Sequence, residues 1–302
     1  MTEVKKILIT GGTGFIGTRV VRELLKRGYE VHSLVFPPFA PEQKHLIQHE
    51  MNLMNSEEVD TFLKENSFET LVHLAWYVGP KCQISELNID WLEASLHLIK
   101  TFYRNGGKTV LVTGSMSEYD FSYGWCREDK TPLVSLSLYG QTKAALYETI
   151  NKFSIFTDLK LKWARLFNLY GPGEKPARLM PTVINSMLKG EDVKVSLCTQ
   201  VQNYLYVVDA AEAIVDFLES NVDGAVNIAA DTAVRLKDIV EKIKELTGFE
   251  GKILYGAVPM AFDQQFLSGD NNRLTKEVGW KQRTSLENGL KQTIQWWKGQ
   301  NV

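Results

Sequence analysis

Lys6-Ile7-Leu8-Ile9-Thr10-Gly11-Gly12-Thr13-Gly14-Phe15-Ile16-Gly17 sets the architecture of the chain. Its first five residues form a short run rich in β-branched side chains that stops at paired glycines, the pattern of a buried strand. Thr18 to Arg27, immediately after it, places Val20, Val21, Leu24 and Leu25 on one side and charges opposite, a helical period. Between them Gly11, Gly14 and Gly17 stand at GxxGxxG spacing. A strand that turns sharply into a helix lets the backbone approach a pyrophosphate and points the free N–H groups of the helix start at its charge. Three glycines at that spacing arise by chance in a chain with 22 of them. The strand before and the helix after turn the spacing into a dinucleotide site.

Working outward, Glu30–Val35 reads as the second strand. An Asp or Glu at its end would bind the ribose 2′-hydroxyl of NAD. The chain continues instead Val35-Phe36-Pro37-Pro38. No carboxylate repels a 2′-phosphate and no arginine invites one, which favours NADP(H) over NAD(H). Further strand-like runs fall at Thr70–Ala75, Thr109–Thr113, Lys160–Phe167 and Ala225–Ala229, with helical patterns at Ser56–Glu65, Asn88–Arg104 and Ser137–Phe153. This alternation implies an α/β fold, a Rossmann-type doubly wound parallel sheet. After Asn168, Gly171-Pro172-Gly173 and Lys175-Pro176 break the pattern. Residues 1–168 therefore read as an NAD(P)-binding domain and 169–302 as a smaller, mainly substrate-binding lobe, with a later strand near 204–229 returning to the sheet.

Composition removes several classes. The 302 residues are 44% hydrophobic and 23% charged, with 34 basic and 36 acidic side chains and a net charge of −2, so no basic footprint for nucleic acid exists. Cys82, Cys126 and Cys198 are far apart and odd in number. They suggest neither disulfides nor a metal site. No apolar run approaches the ~20 residues of a membrane span, and Met1-Thr2-Glu3-Val4-Lys5-Lys6 lacks a signal peptide's hydrophobic region. A cytoplasmic enzyme without metal is the expectation.

Tyr139 and Lys143, at i and i+4 in Ser137-Leu138-Tyr139-Gly140-Gln141-Thr142-Lys143-Ala144-Ala145, share one helix face. A lysine cation stabilises a phenolate, which lets a tyrosine exchange protons with a carbinol oxygen near neutral pH. A second Tyr-x-x-x-Lys, Tyr77 to Lys81, contains Gly79-Pro80 and cannot form that face. The strand Thr109–Thr113 ends in Gly114-Ser115-Met116-Ser117, at the carboxyl end where ligands bind in such sheets. Ser115 is the candidate hydroxyl to hold the substrate oxygen, with Ser117 in reserve.

These motifs resemble the extended short-chain dehydrogenase/reductase family of sugar-nucleotide epimerases, dehydratases and ketoreductases, over nearly the whole chain. The resemblance rests on Thr10 to Gly17, Leu71-Val72-His73-Leu74-Ala75, Gly114-Ser115, Tyr139 to Lys143, Arg165-Leu166-Phe167-Asn168-Leu169-Tyr170-Gly171-Pro172, Asn203 to Asp209, and Glu277-Val278-Gly279-Trp280. It implies that Tyr139 is the proton donor or acceptor, Lys143 the ribose ligand and Ser115 the partner of the sugar C4 oxygen. It also implies cofactor contacts from Gly11, Gly14, Phe15, Ile16, Gly17, Phe36, Asn52, Leu53, Leu74 and Ala75, with Asn52 standing where relatives carry an aspartate. Ser115, Ser117, Asn168, Met180, Tyr204 and Arg273 would hold a nucleotide-diphosphate sugar. His73 reads as a hydrogen-bonded strand-end residue.

Departures select the reaction. Family 4,6-dehydratases carry Asp-Glu after the catalytic hydroxyl, whereas Met116-Ser117 stand here. An arginine of UDP-galactose 4-epimerases is Gln202. Trp76, Tyr77, Tyr123 and Trp125 are unusual aromatics near the expected sugar site, and core packing is the favoured reading of them. The expected activity is NADPH-dependent reduction of a 4-keto-6-deoxyhexose at C4, with a 4-epimerase as the alternative. The resemblance also implies a homodimer built on helices Asn88–Arg104 and Ser137–Phe153.

Overall fold

A computed structural model describes residues 5–260 and 264–300. Met1–Val4, part of the signal-peptide reading, lie outside the described residues. The chain runs β1 (Lys6–Thr10), α1 (Gly17–Lys26), β2 (Glu30–Val35), β3 (Leu46–Glu50), α2 (Ser56–Glu65), β4 (Thr70–His73), α3 (Leu87–Arg104) and β5 (Thr109–Ser115). After these come β6 (Trp125–Cys126), α4 (Leu138–Ile155), β7 (Lys160–Leu166), β8 (Asn168–Tyr170), α5 (Leu179–Leu188), β9 (Val193–Val195) and β10 (Val201–Tyr206). The last elements are α6 (Val207–Glu219), β11 (Gly224–Ile228), β12 (Ala233–Arg235), α7 (Leu236–Thr247), β13 (Ile253–Tyr255), β14 (Phe266–Gly269) and α8 (Leu286–Lys298).

The main sheet has seven strands in the order β11-β7-β5-β4-β1-β2-β3, and every pairing in it is parallel. Parallel strands buried on both faces need continuous apolar runs, and Ile7, Leu8 and Ile9 of β1 are each at most 1% exposed. One face packs under α1 and α6 through Val20, Leu24, Ile214 and Phe217. The other packs under α2, α3 and α4 through Leu63, Leu98, Leu146 and Ile150. The strand order reverses at β1 and β4, which opens a crevice at their carboxyl ends. The edge strand β3, Leu46-Ile47-Gln48-His49-Glu50, is half polar with no buried residue. Its mixed pattern is why the sequence does not announce it.

The returning strand is β11, paired with β7 from Gly224↔Lys162 to Ile228↔Leu166. β10, within the same expected span, joins a second sheet with β8, β12, β14 and β6. The lobe's own core gathers Met180, Val183, Ile184, Ile239, Ile243 and Ile294 from α5, α7 and α8. The two units therefore interleave: α6 and β11 come after residue 168 yet build the first, while β6 comes before it and builds the lobe's sheet.

Candidate active site

The turn after β1 meets the end of β4. Gly11 adopts φ +71°, and a Cβ there would lie 2.7 Å from the Ala75 nitrogen, so only glycine lets the two strand ends approach. Leu74 N donates to Thr10 O at 3.1 Å, and Ala75 N donates to Thr10 Oγ1 at 3.3 Å. His73 is buried between the Thr10 hydroxyl at 2.7 Å and the Ser95 hydroxyl at 2.9 Å. Ser95 spends its proton on Trp91 O, so His73 donates from Nε2 and accepts at Nδ1. Burial, with Lys143 nearby, holds its pKa down at about 3. It is the neutral, hydrogen-bonded strand-end residue expected.

Gly11, Gly14, Phe15, Ile16 and Gly17 form the β1–α1 turn, with Leu74 and Ala75 against it and Asn52 and Leu53 beyond the end of β3. Asn52 turns its Oδ1 back onto Met54 N at 3.1 Å, and Phe36 is 71% exposed just past β2. Beside the glycine turn lies a cavity of about 200 Å³ bordered by Gly12, Thr13, Thr18, Arg22, Ser33 and Gln48. The buried Ser33 hydroxyl there has no hydrogen-bond partner. A glycine cradle beside a cavity lined by both apolar and polar side chains suits the adenosine–pyrophosphate half of a dinucleotide.

Ser115, Tyr139 and Lys143 converge at the end of β5. Gly140, next to Tyr139, makes this possible: a Cβ on it would fall 2.0 Å from Ser117 O, so the first turn of α4 rests directly on the Ser115–Glu118 turn. Ser137 caps α4 by accepting from Gly140 N at 3.1 Å. Lys143 is buried and donates to Thr113 O at 2.8 Å. Burial presses its pKa down to about 7, opposed by the Glu118 charge. Burial pushes the Tyr139 phenol up to about 12, against a lowering hydrogen bond from Ser115. The expected depression of the phenol by Lys143 is thus not produced by the protein's own groups.

Glu118 is the residue that sequence reasoning missed. It is fully buried and accepts from Ser115 N at 2.7 Å, Trp163 Nε1 at 3.1 Å and Arg165 Nε at 2.6 Å. Ser115 in turn accepts at its hydroxyl from Ser117 N at 3.2 Å. Together these form a capping box, and its signature, Ser-x-x-Glu, is visible at Ser115–Glu118. Arg165 is clamped between the Tyr119 and Tyr147 rings at 4.7 and 4.5 Å. Glu174, also unforeseen, has its Oε2 buried without a partner, and burial raises its pKa to about 8, with Arg178 opposing.

Asn168 donates to Gln202 Oε1 at 3.1 Å and to Asn203 O at 3.2 Å, on the β8–β10 pair that also carries Tyr204. Two expected substrate contacts are corrected. Met180 is 1% exposed and packs into the lobe's core, because its place on α5 faces α7 and α8. Arg273 donates to the Ala225 and Asp223 carbonyls and pairs with Glu277, at the amino end of β11. That is the end of the sheet opposite the crevice, so Arg273 does not reach a diphosphate there. Of the unusual aromatics, Trp76 is buried as expected, but Tyr123 and Trp125 are 55% and 47% exposed and do not serve as core.

The model of the NAD dependent epimerase/dehydratase family matches residues 7–229. The chain belongs to this family. Among relatives, a CDP-abequose synthase of Salmonella muenchen is 26% identical over 96% of this chain and 97% of its own. A UDP-glucose 4-epimerase of Bacillus subtilis is 25% identical over 96% of each. MoeE5, solved with UDP-glucuronic acid and NAD, is 28% identical and superposes with a TM-score of 0.85 over 98% of this chain and 99% of that one. The chain is therefore an enzyme of the nucleotide-sugar epimerase/dehydratase type, with the family's Rossmann-like seven-stranded sheet. The family binds NAD(P), and a relative holding NAD removes the support for reading the Val35-Phe36 end as selecting NADP(H). Among the described residues no helix is long and apolar enough to cross a membrane.

Proposed function

We propose that the enzyme reduces a nucleotide-diphosphate 4-keto-6-deoxyhexose at C4. The carrying observation is the arrangement around Ser115. Tyr139 and Lys143 meet it at the end of β5, with Gly140 seated on Ser117 O and Lys143 on Thr113 O, while the nearest carboxylate in sequence, Glu118, is fully engaged by Ser115, Trp163 and Arg165. No acidic side chain stands at Met116-Ser117 to eliminate water, so dehydration lacks its catalyst and proton donation remains. The nicotinamide coenzyme, when bound, supplies the hydride. Ser115 would hold the C4 oxygen, Tyr139 would give it a proton, and Lys143 would hold the nicotinamide ribose and carry the compensating charge. Asn168 and Tyr204, beside the crevice, would hold the nucleotide-linked substrate, and a homodimer through α3 and α4 is proposed with it. Arg22, which borders the cavity beside the glycine turn, supports NADPH as the reductant.

The test is coenzyme oxidation by the purified protein against a panel of nucleotide-linked 4-keto-6-deoxyhexoses, with NADPH and NADH in parallel. Stoichiometric, substrate-dependent oxidation is expected, faster with NADPH. Relatives such as the Bacillus subtilis 4-epimerase favour a second reading, in which the same three residues invert C4. Coenzyme retained through purification, interconversion of C4 epimers and no net oxidation would replace the reductase with that reading.

A further inference from the structure

Trp76 follows directly on Leu74-Ala75, at the crevice, and is only 8% exposed. Its Nε1 donates to Asn88 Oδ1 at 2.9 Å. Asn88, fully buried in the first turn of α3, donates its own amide to Cys82 O at 2.7 Å and Ser85 O at 2.8 Å. Trp91 leans on the same indole with ring centroids 6.3 Å apart. The indole is thus fixed by one polar and one aromatic neighbour. Its face is turned on Lys143, whose Nζ lies 3.9 Å from the ring centroid, while the Thr113 carbonyl takes an N–H of the same ammonium at 2.8 Å.

We propose that Trp76 is a positioning residue for proton transfer, its indole face seating the Lys143 ammonium and setting the pH range over which the Tyr139–Lys143 pair works. The proposal rests on that pair being the proton-transfer machinery, whichever nucleotide sugar is turned over. A π face attracts a cation most strongly where water is excluded, and Lys143 is 2% exposed. The charged and titratable groups around it are His73 from β4, kept neutral by burial, Glu118 from the turn after β5, whose charge favours the ammonium, and Tyr139 one turn away on α4. Among these only Glu118 offsets the burial of the ammonium by full charge. The Thr113 carbonyl and the indole face supply the remaining attraction without adding a titrating group.

The experiment replaces Trp76 site-specifically with mono-, di- and trifluorinated tryptophans, which withdraw electron density from the ring face at nearly constant shape. Lys143 is then titrated through the NMR shift of its ε-carbon, and the pH profile of turnover is recorded. The Lys143 midpoint is expected to fall stepwise with fluorination, by about one unit in all, and the alkaline limb of turnover to move down with it. In the cruder pair, Trp76→Phe retains more of the wild-type profile than Trp76→Leu. A Lys143 midpoint indifferent to fluorination overturns the proposal, as does a midpoint that moves while the turnover profile stays in place. If the wild type turns over no nucleotide sugar, the substrate reading fails, and the Lys143 titration alone still decides the role of Trp76.

Discussion

Replacing Glu118 with Gln probes the link between folding and catalysis at the site. The wild-type carboxylate satisfies Ser115 N, Trp163 Nε1 and Arg165 Nε. An amide of the same shape has one acceptor oxygen, and its NH2 would meet donors. At least one buried donor loses its partner, and the Arg165 guanidinium, 1% exposed at its side chain, loses its counter-charge. Breaking a buried ion pair from one side costs about 3–5 kcal/mol. With ~2 cal/mol/K of unfolding entropy per residue over 302 residues, about 4 kcal/mol corresponds to roughly 6 °C in Tm. The double variant Glu118→Gln/Arg165→Met removes both charges together, keeps an acceptor oxygen for Ser115 N and Trp163 Nε1, and should recover most of that loss. Calorimetry and urea titration of the variants supply the numbers. A Glu118→Gln protein within about 1 kcal/mol of wild type, or a double variant less stable than the single, would refute the account of Glu118 as the partner that neutralises Arg165. Because Glu118 also holds the Ser115 backbone, both variants should turn over slowly even where stability returns.

Three further outcomes follow from the same geometry. Tyr139→Phe should lose about 10²–10⁴-fold in kcat while coenzyme binding, followed by fluorescence quenching, stays near wild type; a near-normal rate would remove Tyr139 from the mechanism. His73 has a folded-state pKa of about 3, below the unfolded ~6.5. The unfolded chain therefore binds the extra proton between these values, and stability falls as pH drops below about 6.5, by ~2 kcal/mol at pH 5; His73→Gln should flatten that stretch of the urea-denaturation profile. Gly11→Ala would force a Cβ to 2.7 Å from the Ala75 nitrogen at a φ of +71°, and should abolish detectable coenzyme binding by calorimetry, together with lower stability. Wild-type binding in that variant would show that the strand ends can part.

Much of the fold was legible because its signals are local. β-branched runs, the glycine turn and the helical periods of α1 and α4 each lie within about 20 residues. The strand-end hydroxyl and the tyrosine–lysine face could be named for the same reason. Where the sequence misled, the deciding contact was remote. Arg273 resembles a phosphate ligand only until β11 places Asp223 and Ala225 beside it at the wrong end of the sheet. Met180 stands at a helix start, but its direction is set by α7 and α8. Glu118 was spelled out in a capping box, yet its importance depends on Trp163 and Arg165, more than forty residues away.

The sequence by itself determined the architecture and the chemical repertoire: a parallel sheet, a dinucleotide turn, and a serine, tyrosine and lysine at its carboxyl edge. These follow from periodicity, from the conformational freedom of glycine and from the reactivity of single side chains, all properties of short segments. Only the tertiary structure decided the protonation of those groups and their surroundings. Charge in a dry interior depends on every neighbour within a few ångströms, and for Tyr139 and Lys143 those neighbours, Trp76 and Glu118 among them, arrive from the segments after β4 and β5, separate parts of the chain.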